Sequence, residues 1–208
     1  MKIGILGAGH IGAMLAQHFA KAGHEVAISN SRGPETLGEL VAELGSGAQA
    51  VTADEAARFG DLVVVAIPLK AYRDVPPGAV AGKVVIDTMN YYPQRDGQFP
   101  ELDSGESTSS ELLQQHVPDA FVVKAFNSIR WDSLRDKAHT GPSEERLGVP
   151  IAGDDEAAKQ EVDDLLEEIG FDGVDAGRLG EGGRKFQVGS DLYGVELPSA
   201  ELAERLAG

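Results

Sequence analysis

The sequence predicts an α/β fold, a doubly wound domain whose mainly parallel β-sheet carries helices on both faces. Short runs rich in Val and Ile alternate with segments of helical periodicity along the whole chain, which is the pattern of repeated β-α units. A glycine-rich turn directly after the first apolar run favours the same class. No linker or repeat interrupts the 208 residues. We therefore expect one domain over residues 1–208, with a core at 1–176, extra C-terminal strands, and a C-terminal cap or lid at 177–208.

The composition excludes several classes of protein. Hydrophobic residues make up 42% of the chain, too many for a disordered protein. A formal net charge of −16 argues against nucleic acid and against a membrane as partners. The absence of cysteine rules out disulfides, thiolate catalysis and cysteine metal sites. The five histidines lack metal-ligand spacing, so we expect no metal site.

The N-terminal apolar run indicates neither secretion nor a membrane anchor. Gly4 and Gly7 break it, unlike the apolar region of a signal peptide. No apolar run approaches the roughly 18 residues of a transmembrane helix. We therefore expect a cytoplasmic protein.

The first β-α-β unit contains a dinucleotide-binding fingerprint. The strand Ile3–Leu6 runs directly into the turn GAGHIG. In such a turn Gly7 allows the tight bend, Gly9 lets a pyrophosphate approach the backbone, and Gly12 lets the helix pack on the sheet. The following helix, predicted at residues 11–22, offers free N–H groups and the positive end of its dipole to the phosphates. This context favours a Rossmann-type dinucleotide site over a similar turn that binds no nucleotide.

The end of the second strand indicates which dinucleotide is bound. Residues 25–29 run into Asn30-Ser31-Arg32, whereas an NAD site places Asp or Glu there to bind the ribose. Arg32 can give a 2′-phosphate a charge-assisted contact, and Asn30 and Ser31 add neutral donors. The missing acid favours NADP(H) over NAD(H). The alternative is a solvated arginine in a polar turn.

The rest of the chain continues the alternation. Further strands are predicted at residues 48–51, 61–68, 83–87, 120–126, 148–153 and 171–174. Further helices are predicted at residues 34–44, from the capping box at 52–55, and at 108–115, 156–169 and 199–206. The proline in 148–153 suits an edge strand. The polar stretch 94–105 is expected to be the longest irregular connection.

Ligands of this fold class lie at the carboxyl ends of the strands. Ile67, Pro68 and Leu69 follow the most apolar strand, so we expect them beside the adenosine or the nicotinamide part of the cofactor. Lys124 ends another strand, where it either faces the ligand or extends its charged end to water.

Several other side chains have two interpretations. Candidate proton donors for a bound carbonyl are Lys124, Tyr91, Tyr92 and Tyr193, although such tyrosines more often pack at a surface. Three tail residues either close over a bound acceptor or decorate a loop: Arg184, Lys185 and Phe186. For His10 the backbone N–H is the expected phosphate contact, and Trp131 is expected in the core or at a rim.

The motifs together resemble a known family. The segments GILGAGHIG, SNSR, AIPLKAY, DTMNYYP, VVKAFNSI and AGDDEAAK occur in the order found in coenzyme F-420-dependent NADP oxidoreductases and related dinucleotide-binding enzymes. The cytosolic NADPH domain of membrane metalloreductases is similar. The resemblance extends from Met1 to Ala176, and the tail is more similar to uncharacterised soluble members.

The resemblance implies hydride transfer between NADP(H) and a planar acceptor, a flavin or coenzyme F-420, and it suggests a homodimer. It places the pyrophosphate on Gly7, Gly9, His10, Ile11 and Gly12. It places the 2′-phosphate on Ser31 and Arg32. The residues it implies for the nicotinamide end are Ile67, Pro68, Asn90, Ala125 and Asn127.

Three classes of function therefore remain open. The first is an NADP(H)-dependent oxidoreductase that reduces a flavin-like small-molecule acceptor. The second is an NADPH-dependent reductase of a small carbonyl or imine, which needs a proton donor close to the nicotinamide. The third is a non-catalytic NADP(H)-sensing protein, whose cofactor site would have no adjacent cavity.

Overall fold

The computed structural model describes residues 1–139, 141 and 146–207. Its strands are β1 Lys2–Leu6, β2 Glu25–Ser29, β3 Ala48–Ala50, β4 Leu62–Val65, β5 Val84–Asp87, β6 Phe121–Lys124, β7 Gly148–Gly153 and β8 Asp172–Asp175. Within these described residues they form one eight-stranded sheet in the order β3-β2-β1-β4-β5-β6-β7-β8. The pairs are parallel except β6 with β7, which is antiparallel. The predicted α/β class and mainly parallel sheet are confirmed.

Helices connect most of these strands. They are α1 His10–Lys21, α2 Gly38–Leu44, α3 Ala53–Phe59, α4 Pro77–Val80, α5 Pro93–Asp96, α6 Pro100–Asp103, α7 Ser109–His116, α8 Trp131–Asp136, α9 Glu156–Glu168, α10 Leu179–Arg184 and α11 Ser199–Ala207. Two 3-10 turns, Pro34–Leu37 and Leu69–Asp74, lie between them. No helix in the described part of the chain is both long and apolar enough to cross a membrane.

Both faces of the sheet are buried, as the apolar composition of its central strands requires. Along β4, Leu62 and Val64 join one hydrophobic cluster and Val63 and Val65 join the other. Side chains of α1 and α9 complete the first cluster, and side chains of α3 and α7 complete the second. The strand order reverses between β1 and β4, and this switch point is where ligands of such sheets bind.

Two local predictions are wrong. The strand that carries Pro150 is not at the edge, because β7 lies between β6 and β8. The proline is tolerated because β6 pairs only with Ala152 and Gly153, leaving Pro150 outside that ladder. The stretch 94–105 is not irregular, since it contains most of α5 and all of α6, each begun by a proline.

The C-terminal segment packs on the outer strands. Phe186 is fully buried beside Val174 of β8 and Leu202 of α11, in a third hydrophobic cluster. The Lys185 ammonium donates to the Leu206 carbonyl at 3.0 Å. Arg184 donates to the Gly105 carbonyl at 3.0 Å. These three tail residues therefore anchor the segment to the domain, and neither of the two interpretations from the sequence describes them.

Lys124 also follows neither interpretation, because its side chain points into the protein and is 1% exposed. Its ammonium donates to Ser109 at 3.3 Å and Ser110 at 3.0 Å, and lies 4.0 Å from the Asp87 carboxylate. The Ser110 hydroxyl donates to the same carboxylate at 2.6 Å, and Met89 N–H donates at 2.8 Å. Burial lowers the pKa of Lys124, and the nearby Asp87 opposes this effect.

This buried cluster gives a stability prediction. Lys124→Met leaves the Asp87 carboxylate buried without a cation, so we expect the free energy of unfolding to fall by about 3 kcal/mol. Urea unfolding measures this change. Lys21→Met, on the exposed surface of α1, is the matched control and should have little effect.

Adding Asp87→Asn to Lys124→Met should recover part of the loss. The amide carries no charge, its oxygen can still accept from Met89 N–H, and its NH2 group can donate to the Ser110 hydroxyl oxygen. A Lys124→Met protein as stable as wild type would contradict this account of the cluster.

Candidate dinucleotide and acceptor site

Two adjoining cavities lie at the carboxyl ends of the strands, on either side of the switch point, and we call them together the groove. The first, which we call the acceptor cavity, has a volume of about 630 Å³ and lies beside the ends of β5 and β6. The second, the phosphate cavity, has a volume of about 560 Å³ and lies beside the end of β2. The residues that line both are Gly9, Ala66, Ile67 and Pro68.

The glycine turn between the cavities has the geometry that its sequence predicts. Gly7 has a φ of 108°, a conformation open to glycine but strained for other residues, and its N–H donates to the Ser29 carbonyl at 3.0 Å. A Cβ on Gly12 would lie 2.0 Å from the Gly7 carbonyl oxygen, so only glycine lets α1 pack so closely. A Cβ on Gly9 would meet nothing within 4 Å, since this residue borders the open groove.

The N-terminus of α1 opens into this groove. Gly9 is its N-cap, and no side chain caps the helix. The first N–H groups of a helix have no partner within it, and the helix dipole makes them favourable for an anion. His10 and Ile11 both line the acceptor cavity. The bare backbone donors and the open space at Gly9 fit a dinucleotide pyrophosphate.

The Asn30 side chain holds the predicted phosphate-binding turn in shape, and its amide group already donates within the turn. The Asn30 side-chain oxygen accepts from Arg32 N–H at 3.0 Å and Gly33 N–H at 2.9 Å, and its amide donates to Thr36 at 2.8 Å. Ser31 and Arg32 are exposed and line the phosphate cavity. Within the described residues no ion pair or hydrogen bond holds the Arg32 guanidinium, so it is available to an anion.

Two charged residues of the phosphate cavity were not predicted from the sequence. They are Lys70 and Asp74, from the 3-10 turn after Pro68, which line this cavity together with Arg32. The turn begins at Leu69, shortly after β4 ends at Val65, and this closeness to a strand end was the signal that both residues could reach the groove.

At the other end of the groove, Asn90 and Asn127 tie the loops after β5 and β6 together. Asn90 donates to the Asn127 carbonyl at 2.7 Å, and the Asn127 amide donates to the Asn90 side chain at 3.3 Å. Asn127 also donates to the Phe186 carbonyl at 3.0 Å. Both asparagines line the acceptor cavity with Ile67 and Pro68.

Ala125 does not line this cavity, contrary to expectation. It is fully buried in the main hydrophobic cluster, because it continues the inward alternation of β6. The next residue, Phe126, has a φ of 61°, a strained conformation for a residue with a Cβ. The chain reverses here, and Phe126 borders the cavity instead.

Two tyrosines from distant parts of the chain meet in the acceptor cavity, and we call them the tyrosine pair. The hydroxyls of Tyr92 and Tyr193 are hydrogen-bonded to each other, and the Asn90 amide donates to Tyr193 at 3.4 Å. Burial raises the pKa of Tyr193, as does its hydrogen bond with Tyr92, so the phenol stays protonated at neutral pH.

Arg95 supports the tyrosine pair. Its guanidinium lies 4.9 Å from the centre of the Tyr92 ring and donates to the Asn90 carbonyl at 2.7 Å. It also binds the buried Asp96 carboxylate at 2.8 and 2.9 Å. Burial acts to raise the pKa of Asp96, but hydrogen bonds from Arg95 and the Tyr92 N–H outweigh it and lower the pKa. Arg95 is thereby fixed with its charge balanced.

Two further aromatic side chains, His10 and Trp131, line the acceptor cavity. His10 contacts Trp131 edge to face at a centroid distance of 4.8 Å, and Arg135 lies 5.1 Å from the centre of the Trp131 ring. Trp131 is 41% exposed. It therefore lies at the rim of the cavity, one of the two positions expected from the sequence, and not in the core. Arg130 and Asp132 at the same rim form an ion pair at 2.7 Å.

Of the other candidate proton donors, Tyr91 is turned away from the cavity, where its hydroxyl donates to Asp103 at 2.7 Å. Lys124 is enclosed in the buried cluster with Asp87. Only the tyrosine pair among the four candidates lines the acceptor cavity.

The N-terminal part of the chain matches a known family. Residues 2–91 match the family described as NADP oxidoreductase, coenzyme F-420-dependent. No curated protein matches the chain.

Solved structures similar to the chain cover it more completely. A hypothetical protein from Sinorhizobium meliloti is 31% identical over 95% of each chain, with a TM-score of 0.81. A protein from Arthrobacter sp. FB24, proposed to be an F-420-dependent NADP reductase, is 29% identical over 86% of this chain and 85% of its own, with a TM-score of 0.72.

A more distant structure shows likeness of fold alone. It is the 3-hydroxyisobutyrate dehydrogenase of Mycobacterium tuberculosis, which is 19% identical with a TM-score of 0.61 and is matched over 85% of this chain and 54% of its own. The family model and the Arthrobacter structure agree with the motif-based resemblance. The chain therefore belongs to the family of coenzyme F-420-dependent NADP oxidoreductases.

Proposed function

We propose that this protein transfers a hydride between NADP(H) and a flavin-like or deazaflavin acceptor. The observation that carries the proposal is the adjoining position of the two cavities: the phosphate cavity is lined by Arg32, the acceptor cavity by Asn90 and Asn127, and both by Gly9 at the bare N-terminus of α1. A cavity of about 630 Å³ is within the usual range for small-molecule sites. A protein that only senses NADP(H) has no need for this second space.

Each part of the groove has a separate binding role. Arg32 and Ser31 bind the 2′-phosphate, and the N–H groups that follow Gly9 bind the pyrophosphate. Ile67 and Pro68 separate the two cavities and hold the nicotinamide end. In this arrangement the local cations act against the net charge of −16, which repels an anionic cofactor at longer range.

The residues of the acceptor cavity orient the second ring. Trp131 and His10 offer an aromatic wall to a flat molecule, while Asn90 and Asn127 offer amide groups to its polar edge. A bound nicotinamide supplies the hydride chemistry, and the protein supplies orientation and exclusion of water. Because hydride transfer between two rings needs little acid-base help, the proposal does not depend on a catalytic side chain.

The pure protein tests this proposal when it is mixed with NADPH and, in separate reactions, FMN, riboflavin or coenzyme F-420. We expect loss of NADPH absorbance with at least one of the three acceptors. Tight NADPH binding without oxidation by any of them would instead indicate the sensing protein.

The cofactor preference is tested by Arg32→Ala. Loss of hydrogen bonds to a charged phosphate should weaken NADPH binding by about 1.5–3 kcal/mol, or roughly 10- to 150-fold, and leave NADH binding nearly unchanged. Quenching of the single tryptophan, Trp131 at the cavity rim, reports both affinities. Arg58→Ala is the control, since Arg58 pairs with Asp54 on the surface of α3. Equal weakening of NADPH and NADH would mean that Arg32 is structural.

The pyrophosphate position is tested by Gly9→Ala. Gly9 has a φ of −76°, which alanine adopts easily, so the free energy of unfolding should change by less than about 1 kcal/mol. The added methyl group would occupy the open space of the groove, so NADPH and NADH should both bind roughly tenfold more weakly. Unchanged binding of both dinucleotides would contradict the assignment of the pyrophosphate to this turn.

A further inference from the structure

We propose that Tyr193 is a catalytic proton donor and that the acceptor cavity also reduces flat aromatic carbonyl compounds. This inference rests on the proposed use of NADPH and adds a second activity at the same site. It starts from a feature that hydride transfer to a flavin does not require, which is a pair of hydrogen-bonded phenols in the cavity.

The position of the tyrosine pair differs from that of a tyrosine that packs at a surface. Tyr193 and Tyr92 line the same cavity as Pro68, Asn90 and Asn127. The neighbouring Tyr91 shows the structural alternative, since its hydroxyl donates to Asp103 and accepts from Phe99 N–H, away from that cavity.

The hydrogen bonds around Tyr193 favour proton donation. The Tyr193 oxygen accepts from the Asn90 amide. When Tyr92 donates to it as well, both of its lone pairs are used, and its own O–H is free for a ligand. The Asn90 amide still donates to the phenolate oxygen that remains after the proton leaves.

The walls of the cavity define the class of substrate. Trp131 and His10 form an aromatic wall, and Ile67, Pro68 and Met89 add apolar surface. A flat aromatic aldehyde or ketone fits such walls, and its oxygen is the acceptor that the Tyr193 hydroxyl needs.

Reduction of the carbonyl compound changes two of its atoms. The carbonyl carbon gains a hydride, which the reduced nicotinamide supplies, and the C=O double bond becomes a single bond. The carbonyl oxygen takes the Tyr193 proton, which gives an alcohol. The Tyr193 phenolate then regains a proton from water, directly or through the Tyr92 hydroxyl. One NADPH and one proton are consumed for each carbonyl reduced.

The test compares 4-nitrobenzaldehyde with the flavin FMN in the wild type, Tyr193→Phe, Tyr92→Phe and Tyr91→Phe. We expect the wild type to reduce both acceptors. Tyr193→Phe should lower aldehyde turnover by about 100-fold or more, the range for loss of a general acid. FMN reduction, which needs no general acid, should fall by a much smaller factor, so the ratio of the two activities shifts toward FMN. Tyr92→Phe should lower aldehyde turnover by a smaller factor, and the control Tyr91→Phe should leave aldehyde turnover unchanged.

A second readout needs no turnover. In the protein without NADPH, quenching of Trp131 fluorescence measures 4-nitrobenzaldehyde binding. Loss of the O–H donor in Tyr193→Phe should weaken this binding about fivefold, as expected for one neutral hydrogen bond, while Tyr91→Phe should not change it.

The possible failures are distinguishable. Reduction of FMN without reduction of the aldehyde, or an equal loss of both activities in Tyr193→Phe, overturns the role of Tyr193 and leaves the proposed function standing. Failure of NADPH to reduce any acceptor overturns the proposed function and, with it, this inference.

Discussion

The structure depends on the close approach of α1 to the end of β1. Gly12 lies so near the Gly7 carbonyl that no side chain fits between them, and a Cβ on Gly7 would lie 2.3 Å from the Ala66 carbonyl oxygen. This contact holds the bare helix N-terminus over the switch point between β1 and β4. Because two cavities meet at that point, the same backbone geometry sets both the candidate anion site and the boundary between the two cavities.

The groove can accept an anion because one of its cations is unpaired within the described part of the chain, although the net charge of the chain is strongly negative. The chain carries a net charge of −16, and many of its cations are already paired. Arg95 is bound to Asp96 and Arg130 to Asp132. Arg32 differs because its turn is held by the Asn30 side chain, which leaves the guanidinium without an internal partner in the described residues. A phosphate with a full negative charge is the ligand for which this arrangement is favourable.

The parts of the site that lie within one β-α-β unit could be predicted from the sequence, because local spacing fixes them. The positions of Gly7, Gly9 and Gly12 follow from the fingerprint, and the exposed Arg32 follows from the strand end. Ala125 could not be placed in this way. The chain bends at Phe126, which has a positive φ. Residues with a Cβ rarely adopt this conformation, so the sequence does not predict the bend.

Long-range packing decides the remainder. Tyr193 meets Tyr92 across 101 residues, and no periodicity connects them. The two tyrosines can meet only if the C-terminal segment is fixed to the rest of the protein. Burial of Phe186 in the third hydrophobic cluster fixes it, and so does the hydrogen bond from the Asn127 amide to the Phe186 carbonyl. The segment predicted as a cap thus completes the wall of the acceptor cavity. Since the phosphate cavity is formed by residues from the first 75, the proposed function assigns cofactor binding and acceptor choice to separate parts of the chain. On that proposal, changes in the C-terminal segment would alter the acceptor while the dinucleotide site stays the same.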